Sequence, residues 1–195
     1  RYRSSYANVM AVSARQLLMS GVTTVVDLAG QPDALSHTKA RIEDGEIPGP
    51  RVMASMGWIT NWSDEQVQRH HRRTHTVNVR TVDDARAAAR TAIAQGAEIL
   101  KVHTGLTEAQ LRAIGEEAAR RGIKVTGHVG NREDLLMRIR SGQDGIEHLS
   151  LGAGASSTIA KEVLRGLVEH QTYVIPTMIQ TMIQGRAVEW PDWRD

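Results

Sequence analysis

Four glycines, Gly21, Gly96, Gly122 and Gly142, each stand between a segment of helical spacing and a short apolar run. Only glycine takes the left-handed conformation at a helix end cheaply, so the chain repeats one unit of helix, glycine and strand. Six runs read as strands: VTTVVDL (22–28), RVMASM (51–56), EILKVH (98–103), IKVTGH (123–128), GIEHLS (145–150) and TYVIPT (172–177). Ala-, Arg- and Glu-rich stretches such as VDDARAAARTAIAQ and TEAQLRAIGEEAARR lie between them, the second opening on the helix-start residues Thr107 and Glu108. Apolar strands alternating with helices mean a parallel sheet covered by helices, either a closed (β/α)8 barrel or an open doubly wound sheet.

Polar residues at the strand ends choose between the two. Lys101, His128 and His148 sit near the C-terminal ends of three successive predicted strands, where barrel enzymes keep their chemistry. Side chains alternate along a strand, so Ile99, Lys101 and His103 share one face, as do Lys124, Thr126 and His128, and again Ile146 and His148. Glu147 is then expected on the opposite face, against a helix. An open sheet calls for a glycine-rich phosphate loop after its first strand, and VVDL is followed by AGQPDAL, without GxGxxG. The expectation is a single barrel-type α/β domain over residues 1–195.

Composition narrows the chemistry. With 41% hydrophobic and 24% charged residues the chain has the material for one globular core. The formal net charge is only +2 and the basic residues are scattered, which argues against nucleic acid as a partner. No apolar run approaches the roughly 20 residues of a membrane helix, so no membrane partner is expected. The opening RYRSSYANVM lacks the apolar core of a signal peptide. A soluble protein is expected, with cytoplasmic, periplasmic and secreted locations all left open. Without cysteine, any metal must be held by His, Asp, Glu or a modified side chain.

GVTTVVDL, RIEDGEIPGPRV, ILKVHTGL, ARRGIKVTGHV and GQDGIEHLSLG, in that order over most of the chain, resemble the amidohydrolase superfamily of metal-dependent hydrolases, closest to its prolidase-like and imidazolonepropionase-like branch. The resemblance implies a (β/α)8 barrel that cleaves amide or ester bonds with a metal-activated water. It also implies that a lysine on the fourth barrel strand is carboxylated by carbon dioxide and bridges two divalent metals, usually zinc. The matching lysine is Lys101, a catalytic residue and metal ligand, and the matching histidine ligands are His128 and His148. The implied partner is a small-molecule substrate, and assembly into a homo-oligomer stays open.

Plainer readings stand beside these. Lys101 could be a buried lysine paired with Glu98 or another acid, and each histidine a satisfied core residue. Yet the chain has only four lysines against twenty arginines, so a lysine inside a strand is unlike an interchangeable surface base. A metal-free enzyme with Lys101 as Schiff-base nucleophile is a further alternative. His103 shares the Lys101 face one pleat further out and is a candidate substrate contact. GWITNWSDEQVQRHHRRTHTVNVRT is the longest irregular segment, expected over the site mouth, where Trp58 or Trp62 could wall the substrate. Its His70, His71 and His75 are flanked by arginines, which repel cations, and are read as a solvated or lid segment. Asp27 is either a polar contact at the mouth or a cap for the next segment.

The sequence departs from the family pattern. No His-x-His pair occurs, and Asp192 and Asp195 follow TYVIPT too directly to be the aspartate of an eighth strand. A complete barrel needs about 250 residues. The expectation is therefore an incomplete barrel lacking the first and eighth strands, which by itself binds metal weakly and turns over no substrate. A non-catalytic remnant is the corresponding alternative.

Overall fold

The computed structural model describes residues 2–70, 74–148 and 157–177. Helix α1 (Tyr2–Met19) leads into β1 (Thr24–Asp27), α2 (Pro32–Glu43) and β2 (Arg51–Ala54). Next come β3 (Trp58–Thr60), α3 (Asp64–His70), β4 (Thr76–Asn78) and α4 (Val82–Ala94). The remainder alternates: β5 (Ile99–Val102), α5 (Glu108–Ala119), β6 (Lys124–His128), α6 (Arg132–Arg140), β7 (Gly145–Glu147), α7 (Ser157–Glu169) and β8 (Tyr173–Ile175). Strands β1 and β2 pair in one small sheet, and a six-stranded sheet runs β4-β3-β5-β6-β7-β8. All these pairings are parallel.

The predicted runs hold the observed strands, each trimmed at its ends. What the periodicity misses lies in the supposedly irregular stretch, which contains β3, α3 and β4. The chain enters β3 through a break after β2, where Met56 (φ 60°) and Gly57 (φ 112°) are both left-handed. A Cβ on Gly57 would fall 2.7 Å from the backbone oxygen of His75, so this turn requires glycine. The break lets one stretch of chain serve two sheets. Before it, β2 pairs with β1; after it, β3 pairs with β4 and β5, while the Glu98 N–H donates to the Ala54 carbonyl at 2.9 Å and ties the sheets together.

Local chemistry sets the helix ends. Thr81 with Asp84, and Thr107 with Gln110, form reciprocal capping boxes, and Asn131 caps α6 through the Asp134 N–H. The four helix-ending glycines have φ between 66° and 95°, as their positions in the sequence require. Helix α4 presents Ala85, Ala88, Ala89 and Ala92 inward, and α5 presents Leu111, Ile114 and Ala118. These pack with Leu100, Val102 and Val125 of the sheet into the larger core. Burying a side chain like Ile114 contributes roughly 2–3 kcal/mol. A second cluster, Leu135, Ile139, Ile146, Val163 and Leu167, seats α6 and α7 on β7. With both cores on the helical side, the C-terminal strand ends are free to carry polar groups.

Candidate metal and substrate site

Lys101 lies in the middle of that arrangement. On β5 it is in register with Trp58 of β3 on one side and Thr126 of β6 on the other. The residue is 3% exposed, and its Nζ has no hydrogen-bond partner among the described residues. Burial pushes the ammonium down from 10.5 to about 8; Glu147 opposes this and Arg138 adds to it. The expected alternative partner, Glu98, is engaged elsewhere, by the Lys39 ammonium.

Three imidazoles follow one another beside it. The His103 and His128 rings stack at 4.4 Å and 11°, and His128 meets His148 edge to face at 5.0 Å. Burial holds His103 down to about 3, with His128 and Lys101 adding to the effect. Burial likewise holds His128 to about 4, helped by His148 and Lys101, and lowers His148. All three are therefore neutral near pH 7 and keep a ring lone pair.

The end of β7 departs from the alternation expected of it. Register pairs Glu147, not His148, with His128. Glu147 is 3% exposed and its carboxylate accepts a 2.6 Å hydrogen bond from Thr126 Oγ1, which places it on the Lys101 face instead of against a helix. Ile146 takes the helical side, in the second core. His148 rejoins the site because its own φ is 60°, which leaves the strand geometry. Its N–H donates to Ile175 and its Nδ1 lies 2.8 Å from Thr177 Oγ1.

The rim is aromatic. Trp58 is half-buried with an unpartnered Nε1, and its ring is 4.6 Å from His103 and 6.0 Å from Trp62. Trp62, 4% exposed, approaches His103 at 4.7 Å and His70 at 4.9 Å. The histidines of the RHHRRTH stretch are dispersed: His70 packs on the tryptophans, His75 lies against Gly57, and His71 falls outside the described residues. Asp192 and Asp195 fall outside them too. Asp27 proves to be a cap, its Oδ1 accepting from Ala29 and Gly30 at 2.9 and 2.6 Å.

Sequence reasoning overlooked Arg138. It is fully buried behind the strand ends and donates to Asp134, Gln143 and the His103 carbonyl at 2.9, 3.1 and 2.7 Å. The only hint in the sequence is its i,i+4 spacing from Asp134. A cavity of about 490 Å³ lies elsewhere, lined by Arg112, Glu116, Lys124 and Asp144 near the N-terminal strand ends, the face where barrels keep stability residues.

Among the described residues no three His, Cys, Asp or Glu side chains are placed to hold a metal ion. The donor set at the strand ends is instead two neutral imidazoles beside an orphaned amine. A third ligand, an anionic one, arises there only if Lys101 is modified, and the free-amine fraction that burial enlarges at Lys101 is the species that reacts with carbon dioxide. The residues present fit a divalent ion on that condition.

No curated protein matches the chain in sequence. Solved structures do match in fold: an A. niger ochratoxinase at 21% identity and TM-score 0.77, over 95% of this chain and 48% of that one. A Xaa-Pro dipeptidase with methionine bound in its active site matches at 20% and 0.74, over 95% and 50%. A prolidase complexed with N-methylphosphonate-L-proline matches at 22% and 0.69, over 92% and 48%. The chain thus spans about half the length of these structures, and at such identities the likeness is one of fold: a parallel β/α architecture of the barrel type. The sequence pattern of one family extends over residues 3–189, so the chain belongs to the amidohydrolase family.

Proposed function

We propose that this chain carries one flank of a binuclear metal-dependent hydrolase centre that cleaves amide or ester bonds, with Lys101, as its carbamate, His128 and His148 as the ligands. The observation that carries the reading is the buried, unpartnered Nζ of Lys101 beside neutral imidazoles. A depression from 10.5 to about 8 leaves about 300-fold more free amine at neutral pH than an ordinary lysine has. Attack of that amine on carbon dioxide forms an N–C bond, releases one proton and gives an anionic group with two oxygens. Imidazole and carboxylate-type oxygens suit zinc. A divalent ion bound there supplies an acidified water and polarises a carbonyl.

The chain's own residues do the rest. His128 and His148 keep their lone pairs available at pH 7 because burial disfavours their protonation. Glu147, fixed by Thr126, adds a second negative group on the same face, which favours cation binding once the carbamate forms. Trp58 and His103 form the rim against which a small substrate would lie. The dipeptidase and prolidase structures of like fold make a dipeptide-type amide the first substrate class to try.

The test measures zinc bound per chain by equilibrium dialysis in bicarbonate buffer, alongside the carbamate carbon signal from ¹³C-bicarbonate. Both should be lost in Lys101→Ala, and zinc binding should be weakened in His128→Ala and His148→Ala. Zinc retained by Lys101→Ala would sink the reading. The same orphaned amine also suits imine chemistry. Borohydride trapping of a carbonyl substrate on Lys101, with no zinc effect, would favour that second reading.

A further inference from the structure

We propose that His103 is not a metal ligand but a neutral hydrogen-bond donor of fixed tautomer, presenting Nε2–H to an acyl oxygen of the substrate. Every contact on the other ring nitrogen points to this. The backbone N–H of Thr104 donates to His103 Nδ1 at 2.8 Å. The Thr104 hydroxyl lies 3.2 Å from the same nitrogen. That hydroxyl also receives the indole N–H of Trp62 at 2.9 Å. An indole nitrogen only donates, so Thr104 Oγ1 is the acceptor there and its own proton is free to point at Nδ1. Two donors converge on Nδ1, which must therefore be the unprotonated nitrogen, and the ring proton sits on Nε2.

Packing makes this donor rigid. His128 stacks on the ring at 4.4 Å, Trp58 leans on it at 4.6 Å, and Trp62 meets it edge-on at 4.7 Å. Arg138 pins the backbone by donating to the His103 carbonyl at 2.7 Å. A nitrogen that carries a proton has no lone pair for a metal, and Nδ1 is already engaged, so His103 stands outside the donor set of Lys101, His128 and His148. A preorganised neutral donor at the rim of such a set is suited to hold a carbonyl or carboxylate oxygen as charge builds on it. The aromatic surroundings favour an amide whose acyl part is flat and apolar. The substrate half of this inference rests on the hydrolytic reading above; the tautomer half does not.

The experiment is nitrogen-detected NMR of the ¹⁵N-labelled chain, alone, with zinc and bicarbonate, and with N-benzoylglycine as a flat acyl amide probe. The Nε2–H tautomer of His103 is expected in all three, with its proton resonance displaced by the probe. His103→Phe, which keeps the stack, should weaken probe binding about tenfold, whereas His103→Gln, which keeps a donor, should weaken it less than about threefold. An Nδ1–H tautomer, loss of the Nε2 proton on adding zinc, or a resonance untouched by the probe would each overturn the proposal. A fixed tautomer with a displaced resonance, but no zinc response at Lys101, His128 or His148, would sink the hydrolytic reading and leave the donor standing.

Discussion

Two buried charges in this chain are treated in opposite ways. Glu117 on α5, 5% exposed, receives guanidinium hydrogen bonds from Arg90, Arg86 and Arg120 at 2.9, 3.0 and 2.6 Å. Arg90 first, then the other two, hold its carboxyl down to about 2. Lys101 is equally buried and its Nζ has no hydrogen-bond partner among the described residues. The fold can satisfy an inner charge where structure needs one, as it does again for Arg138, whose guanidinium meets three acceptors. Lys101 is left unsatisfied in a molecule with twenty arginines and many acids available. A depression from 10.5 to about 8 corresponds to about 3 kcal/mol at 1.36 kcal/mol per unit. The carbamate reading proposed above gives that cost a chemical reason.

The largest effect should come from breaking a satisfied charge. Arg138→Met leaves the Gln143 amide oxygen and the His103 carbonyl without their donor and takes one of its bonds from the partly exposed Asp134 carboxylate, and should cost about 3–5 kcal/mol in urea unfolding. A loss below about 1 kcal/mol would remove the contrast with Lys101 altogether.

Lys101→Met should move the other way, raising stability by about 3 kcal/mol at pH 7 in metal-free, carbonate-free buffer. The sign of the pH dependence follows from the lowered value. Below about pH 8 both folded and unfolded Lys101 are protonated and the full penalty is present. Between about 8 and 10.5 the unfolded chain still binds the proton and the folded chain does not, so stability of the unmodified protein climbs with pH. Its deficit against Lys101→Met should therefore close across that window. Unfolding at pH 7, 9 and 10 measures it, and a constant gap would mean that Lys101 has a partner after all.

The same contrast explains what could be read from the sequence. Lys101, His103 and His128 were legible because they obey strand alternation, and the helix-ending glycines because a left-handed cap is a local requirement. Ile146 and Glu147 were assigned to the wrong faces, and His148 lies beside His128 only because it leaves the strand at φ 60°, which nothing in GIEHLS announces. Strands β3 and β4 were missed because the pairing that makes them strands depends on a backbone break at Met56 and Gly57. Whether a buried charge is satisfied is a tertiary fact. Arg90 and Glu117 lie on different helices, and no spacing rule joins them.

Glu147 offers a smaller, sharper test. Glu147→Gln removes an attraction felt by the Lys101 ammonium and, in the same stroke, a repulsion felt by its carbamate. Both changes favour the modified form, so carbamate occupancy from ¹³C-bicarbonate in the metal-free chain should rise about threefold to tenfold. Unchanged occupancy would place the Glu147 charge too far from Nζ to matter.

The smallest effect should be at Lys124, whose ammonium meets Asp144 at 2.6 Å but whose side chain is 66% exposed. The hydrogen bond to Asp144 raises its pKa, so whatever stability the pair contributes is present at neutral pH and is lost as the pH rises through that raised value. Water screens the pair, and Asp144 keeps its 2.8 Å bond from the Val125 N–H when the lysine is removed. Lys124→Ala should therefore cost no more than about 0.5 kcal/mol, and less in high salt. The distance is as short as any at Glu117, which makes this the control for the whole comparison. If Lys124→Ala cost as much as Arg138→Met, contact length and not burial would govern the charges of this fold, and the solitude of Lys101 would lose its significance.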